Sequence, residues 1–165
     1  MMISEAMAAK LNEQVKEEFF SYWTYLAMAY RFESMGLKGF AKWYQLQAEE
    51  EKGHALKIAG YLVEQGADVK LTALDNPKTD YASAQEIVQV TVEHEKKITR
   101  LIHELMALAN KENDFATASF LGWFVDEQVE EVSIAQQLLD MVKFATDKVQ
   151  LLLMENRIFA MRESS

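Results

Sequence analysis

Hydrophobic residues recur every three or four positions along most of this chain, which is the spacing of one face of an α-helix. Four interruptions divide the pattern, so it predicts five helices and an all-α fold. The predicted helices are α1 from about Ser4 to Met35, α2 from about Gly39 to Gln65, α3 from Ser83 to near Asn110, α4 from near Asp114 to about Phe144, and a short α5 from about Asp147 to Met161.

Local signals support several of these boundaries. Gly36 and Gly66 stand where α1 and α2 end, as glycine does when it caps a helix in the left-handed conformation. Ser83 and Glu86 have the spacing of a capping box at the start of α3.

The connection between α2 and α3 is unusually long. It covers residues 67–83, seventeen positions that include the only proline, Pro77. At ~3.3–3.6 Å per residue, extended chain of this length reaches ~50 Å, whereas a helix of the predicted length measures ~40 Å. A connection that runs the length of a bundle makes α2 and α3 parallel, although a surface excursion fits the same length. The short connections predict two antiparallel hairpins, α1–α2 and α3–α4.

A weak internal repeat relates α2 to α4. A shift of 80 residues aligns Phe40 with Phe120, Trp43 with Trp123, Tyr44 with Phe124, Glu50 with Glu130, Glu51 with Glu131, and Ala55 with Ala135. We interpret the two helices as copies of one helix, and we expect both tryptophans to pack in the core.

Each of the first four helices carries one glutamate inside its apolar face, where packing calls for a hydrophobic residue. These residues are Glu18, Glu51, Glu95 and Glu131. Each lies near the middle of its helix, so the four carboxylates should meet in one layer of the core whichever way the helices run.

Such a layer is unfavourable unless its charge is neutralised, because burial of an ion carries a large desolvation penalty. Protonation, pairing with Lys or Arg, or metal binding can relieve the penalty. No Lys or Arg occupies the same stripe at the same level, and two divalent cations would balance four carboxylates. His54 follows Glu51 by three residues on the same helix face. This mixed oxygen and nitrogen ligand set suits iron or manganese.

Composition narrows the classes of function. The chain has 165 residues, a formal net charge of −9 and no cysteine. The charge disfavours nucleic-acid binding, and the lack of cysteine excludes thiolate-held metal sites. The longest uncharged apolar-rich run, residues 115–125, is too short to cross a bilayer, and the first residues lack the pattern of a signal peptide. We therefore expect one cytoplasmic domain over residues 1–165, without a nucleic-acid or membrane partner.

Several stretches resemble the ferritins, in particular the non-haem ferritins of bacteria. They are Leu11-Asn-Glu-Gln14 leading to Glu18, Glu50-Glu51-Lys-Gly-His54, His94-Glu95, and Phe120-Leu-Gly-Trp-Phe-Val-Asp-Glu-Gln-Val-Glu-Glu131. The resemblance implies a ferritin-like four-helix bundle with a long crossover between α2 and α3 and a short fifth helix. It also implies an iron storage protein with ferroxidase activity. Fe(II) would be oxidised with dioxygen or peroxide, and Fe(III) mineral would be kept in a hollow homo-oligomeric shell of 24 subunits.

The same resemblance implies roles for individual residues. The ligands of a first iron would be Glu18, Glu51 and His54. A second iron would be held by the bridging Glu51 with Glu95 and Glu131, and with Gln128 beside it. A third iron site, on the face turned towards the storage cavity, would consist of Glu50, Glu127 and Glu130. Tyr25 would lie beside the site and supply an electron.

Two positions depart from related families. Bacterioferritins and rubrerythrins repeat Glu-x-x-His on α4, whereas here Ile134 stands three residues after Glu131. The second iron should therefore be held more weakly than the first. Bacterioferritins bind haem through a methionine where this chain has Lys52, so we expect no haem.

Other functions stay open at this point. They are a rubrerythrin-type di-iron peroxidase, a structural bundle or a storage subunit without an oxidation centre, and a DNA-binding miniferritin. The missing second histidine disfavours the first, and a glutamate in every helix disfavours the others. A misphased pattern would place the four glutamates on a solvated face. We expect His94 and His103 to face solvent or another subunit.

Overall fold

The computed structural model describes residues 1–163, and helices dominate this part of the chain. The five helices are α1 Glu5–Ser34, α2 Lys38–Glu64, α3 Ala84–Glu112, α4 Phe115–Phe144 and α5 Lys148–Glu163. The predicted all-α bundle with a short fifth helix is therefore confirmed. Both α3 and α5 continue about two residues beyond their predicted ends.

The predicted helix signals act largely as expected. Gly36 and Gly66 take positive φ angles of 75° and 74° after α1 and α2. The Ser83 hydroxyl accepts a hydrogen bond from the backbone N–H of Glu86, as in a capping box. The reciprocal bond differs, because the Glu86 carboxylate accepts from the N–H of Ala82 rather than from that of Ser83.

The directions of the helices follow from contacts near their ends. Ser4, the N-cap of α1, donates to Glu112 at the end of α3, so these two helices run antiparallel. Phe32 near the end of α1 stacks on Phe40 near the start of α2, so this pair is antiparallel as well. Two helices that are antiparallel to the same helix are parallel to each other. Helices α2 and α3 therefore run parallel, as predicted.

The connection formed by residues 67–83 lies along α1. The Asn12 side chain donates to the carbonyl of Asp68 and accepts from the N–H of Lys70. Further on, Arg31 donates to the carbonyl of Tyr81 at 2.9 Å. The connection thus begins beside the first half of α1 and ends beside its last turn, so it travels along the bundle as its length predicted.

Helix α5 closes one end of the core. Its Ile158 is fully buried, and its Glu155 carboxylate accepts a hydrogen bond from the N–H of Gly39 at 2.9 Å. A Cβ added at Gly39 would lie 2.4 Å from that carboxylate, so the absence of a side chain permits the approach. Between residues 1 and 163, none of the helices has the length and apolar composition needed to cross a bilayer.

The apolar core consists of two clusters separated by a polar layer. One cluster centres on aromatic residues near the α1–α2 turn, such as Phe32 and Tyr44, and the other on residues such as Leu11 and Ile58. The buried polar side chains include the four predicted glutamates. The fold thus positions a polar site halfway along the bundle.

Candidate metal centre

The four core glutamates meet in this central layer. Glu18, Glu51, Glu95 and Glu131 are all buried, as predicted, so the alternative of a solvated face is excluded. Two groups of these residues each offer ligand atoms that lie within 4.8 Å of one another, and Glu51 belongs to both groups. The first group is Glu18, Glu51 and His54, and the second is Glu51, Glu95 and Glu131.

Two glutamine amides orient the carboxylates. Gln14 donates to Glu18 at 2.9 Å, and Gln47 donates to Glu51 at 3.1 Å and to Glu131 at 2.7 Å. Both glutamines lie one helical turn before a core glutamate, where a side-chain amide can reach it. We did not predict these residues from the sequence, although their four-residue spacing was a usable signal.

Glu95 is held by two further side chains. Gln128 donates to its carboxylate at 3.1 Å, and the Tyr25 hydroxyl donates to it as well. Both residues were predicted beside the site, and the structure places both there. Burial, followed by the charge of Glu95, raises the pKa of Tyr25 well above its usual value, so its proton is firmly held.

The carboxylates of the second group resist ionisation together. Burial raises the pKa of Glu95 to about 7, and burial with the charge of Glu95 raises that of Glu131 to about 8. The same two causes raise the pKa of Glu51 well above its usual value. The shifts reflect several negative charges sharing one dry layer, and a bound cation would reverse them.

The first group is built around an imidazole. Nδ1 of His54 lies 3.4 Å from Glu51 and 3.7 Å from Glu18. Burial alone would lower the pKa of His54, but these two carboxylates raise it to about 11. Burial alone would raise the pKa of Glu18, but the neighbouring His54 lowers it below its usual value.

The donor atoms of this group fit a metal ion. Within residues 1–163, Nδ1 of His54 and one carboxylate oxygen of Glu18 are buried without a hydrogen-bond partner. Buried polar atoms are rarely left in this condition. A cation coordinated by the imidazole and both carboxylates would satisfy them, and this mixed donor set is one that iron favours.

Comparison with known proteins decides the family. Residues 8–145 match the family described as Ferritin-like domain. The chain belongs to the ferritin family. It is 39% identical over 146 residues to a bacterial non-heme ferritin of Bacteroides fragilis, covering 88% of this chain and 92% of the relative. It is 36% identical to a bacterial non-heme ferritin of Staphylococcus saprophyticus over 96% of each chain.

Solved structures agree with the sequence relatives. An open-pore ferritin from the archaeon Archaeoglobus fulgidus shares 40% identity with this chain and superposes with a TM-score of 0.91. The superposition covers 94% of this chain and 97% of that one. Membership of the ferritin family supports iron storage as the function and iron binding as a property of this chain.

A third acidic group adjoins the centre of this ferritin. Glu50, Glu127 and Glu131 offer oxygens within 4.8 Å of one another, so Glu131 connects this group to the second one. The sequence predicted Glu130 in place of Glu131. Glu130 is exposed and lines the same cavity, but it does not belong to the group of converging oxygens. Its role as a ligand stays a prediction.

Two expectations about aromatic side chains need revision. His94 is only partly exposed, because its ring lies 2.6 Å from the Ser21 hydroxyl and edge-on to Tyr25. Its contact with another subunit stays a prediction. Trp123 is not a core residue. It is 41% exposed and lies under the Lys57 ammonium, whereas its repeat partner Trp43 is 2% exposed. His103 is exposed, as expected.

Proposed function

We propose that this ferritin oxidises iron(II) at the two ligand groups that share Glu51, and stores the ferric product inside a hollow shell of its own copies. The observation that carries the proposal is that Glu51 belongs to both ligand groups. Two cations bound to one bridging carboxylate lie close enough to give electrons to the same oxidant molecule. A purely structural bundle has no use for such a layer, because uncompensated buried carboxylates destabilise the fold.

Each residue of the centre has a role in this proposal. Glu18 and His54 hold one iron(II) ion, Glu95 and Glu131 hold the other, and Glu51 bridges them. Gln128 steadies Glu95 from the α4 side. Tyr25, whose hydroxyl donates to Glu95, orients this carboxylate. Its predicted role as an electron donor would add a third electron and is not needed for the two-electron reaction. These side chains bind, orient and neutralise, so no protein nucleophile takes part.

The electrons balance with either oxidant. Two iron(II) ions lose one electron each. Dioxygen that accepts both electrons and two protons becomes hydrogen peroxide, and hydrogen peroxide that accepts them becomes two molecules of water. The family resemblance is our ground for proposing iron(III) mineral as the stored form.

The shell of 24 subunits and the cytoplasmic location are also part of the proposal. Relatives support the shell, since the Archaeoglobus structure is described as an open-pore ferritin and such a pore requires an enclosing assembly. The third acidic group would then lie between the oxidation centre and the stored mineral. The location rests on the resemblance to bacterial ferritins.

Addition of iron(II) in air, followed by gel filtration with iron detection, tests the proposal. The unmodified protein should oxidise about two iron(II) ions per chain in a fast phase, because two ligand groups share Glu51. The iron should elute with a very large particle. Glu51→Ala should lose the fast phase, since it removes a ligand from both groups, and should still elute as the same particle.

Glu49→Ala is the matched control, because Glu49 lies on the same helix and pairs with Lys52 at the surface. It should oxidise iron at the parent rate. Equal fast phases in Glu51→Ala and the parent protein would contradict the proposed centre. Elution of the iron with a single chain would contradict the shell. Repeating the assay without air and with added hydrogen peroxide identifies the preferred oxidant.

A further inference from the structure

Helix α5 brings a cation to the edge of the metal centre. We use the name inner acidic cluster for Glu50, Glu127, Glu130 and Glu131. A cavity of about 210 Å³ beside the cluster is lined by these four residues together with Gln47, Ile134 and Arg162. Arg162 is remote from the cluster in sequence and reaches it because α5 packs against α2 and α4.

Three contacts with residues in the described part of the chain hold the Arg162 guanidinium. One nitrogen lies 2.7 Å from a carboxylate oxygen of Glu50, and another donates to the side-chain carbonyl of Gln47 at 3.0 Å. The guanidinium also lies over the Trp43 ring, 5.1 Å from its centroid. The Arg162 side chain is only 15% exposed, and a guanidinium that lies over an indole and donates in two directions has a preferred orientation.

The contact with Gln47 links Arg162 to the metal ligands. Because the carbonyl of the Gln47 amide accepts from Arg162, its nitrogen faces Glu51 and Glu131, to which it donates. Reversing this amide would point its oxygen at two carboxylates and its nitrogen at a guanidinium. Arg162 and the two carboxylates therefore favour the same orientation of an amide that touches both ligand groups.

The position of Arg162 also opposes the binding of a second cation at Glu50. Glu50 offers an oxygen to the group formed with Glu127 and Glu131, and Arg162 contacts the Glu50 carboxylate. A divalent cation bound by all three carboxylates and a guanidinium in contact with Glu50 would repel each other at short range. The two cations therefore compete for Glu50.

We propose that Arg162 is the built-in counter-cation of the inner acidic cluster, and that a divalent cation entering the cluster must displace it from Glu50. Arg162 acts through Glu50 and Gln47, so it is a positioning residue rather than a catalytic one. That the entering cation is iron rests on the proposed function. The competition rests only on the contacts of Arg162.

Calorimetric titration of zinc(II) into the metal-free assembled protein tests this proposal. The parent should bind zinc(II) tightly at the two groups that share Glu51 and weakly at the inner acidic cluster. Arg162→Gln should tighten the weak class by about tenfold, which is the order expected when one repelling charge is removed near a partly exposed site. The tight class should change by less than about threefold. In the Arg162→Gln background, Glu50→Gln should abolish the gained affinity.

Two further variants separate charge from structure. Arg162→Lys retains the charge and should keep the weak class within about twofold of the parent. Arg157→Gln removes an exposed charge from the same helix and should change neither class. Circular dichroism and elution volume should match among all variants, which excludes loss of α5 or of the assembly as the cause.

The proposal is overturned if Arg162→Gln shows the same weak affinity as the parent, or no weak class at all. It is overturned equally if the Lys and Gln variants gain the same affinity, because the cause is then not charge. Failure of the proposed function has a different signature in the same titration, namely the absence of the tight class from every protein.

Discussion

The two halves of the candidate metal centre differ in one ligand. On α2, Glu51 is followed by His54 after three residues, and on α4, Glu131 is followed by Ile134 at the same spacing. The first half therefore has a nitrogen donor with two carboxylates, and the second has three carboxylates. Glutamine amides contact carboxylates of both halves. The single imidazole makes the two sites unequal.

The difference extends to the protons that each half holds. Next to His54 the pKa of Glu18 is lowered, whereas the pKa values of Glu95 and Glu131 are raised to about 7 and about 8. Without a cation, these shifts favour an ion pair between Glu18 and His54 in the first half and protonated carboxylates in the second half. A metal ion must replace a histidine proton in one half and carboxyl protons in the other.

Removal of the His54 imidazole should have the largest effect on metal affinity. His54→Ala should weaken metal binding at the first half by roughly a hundredfold or more, because even residues that only support a ligand cost ten- to hundredfold. The second half should change several-fold at most. Cobalt(II) absorption, which reports the coordination of each ion, measures the two separately. The exposed His103 supplies the control as His103→Ala, and equal losses in both halves would show that the halves are not distinct.

A change of pH should have the next largest effect on metal affinity. A metal ion binds the deprotonated ligands, so protons compete with it. Metal affinity therefore falls by about tenfold per unit decrease in pH for every proton that binding releases. His54, with a pKa of about 11, should release one proton at both pH 6 and pH 8. Glu95 and Glu131 should release more at pH 6, where both are mainly protonated.

An indicator dye in weakly buffered solution counts these protons during zinc(II) addition. The parent protein should release about one proton more at pH 6 than at pH 8, because Glu95 and Glu131 lose their protons over this range. Equal release at the two pH values would contradict the raised pKa values of these two carboxylates.

A histidine on α4 at the position that corresponds to His54 should have the smallest effect on metal affinity. Ile134→His adds an imidazole three residues after Glu131, at the edge of the cavity where Ile134 lies. The second half should bind cobalt(II) about three- to tenfold more tightly, a gain limited by the space that the larger ring requires. Ser133→His places the same ring on an exposed position of α4 as the control. Equal gains in the two variants would mean that proximity to Glu131 is not the cause.

The buried glutamates could be predicted because helical periodicity states which face packs inwards. Glu18, Glu51, Glu95 and Glu131 interrupt that face once in each helix, and a charge in such a place is rare without a partner. His54 followed from its spacing to Glu51. The path of residues 67–83 was predicted from chain length alone, since few routes fit a connection of that reach.

Tertiary contacts between distant segments were not predictable in the same way. Arg162 reaches Glu50 only because α5 folds back onto α2, and no periodicity encodes that approach. His94 is adjacent to Glu95 and was expected to face solvent or another subunit, but Ser21 and Tyr25 of α1 cover part of it. Trp123 was expected in the core and is exposed, whereas Arg162 of α5 lies over its repeat partner Trp43.

The parallel course of α2 and α3 relates the two hairpins by a half-turn about an axis across the bundle, and the metal centre lies near that axis. A perfectly symmetric molecule would bind both of its metal ions with equal affinity. The single imidazole breaks this equality, and Glu131 joins the looser side to the inner acidic cluster. Under the proposed function, metal affinity declines from the ligand group that contains His54 towards the inner acidic cluster. This decline gives the passage of ions a direction.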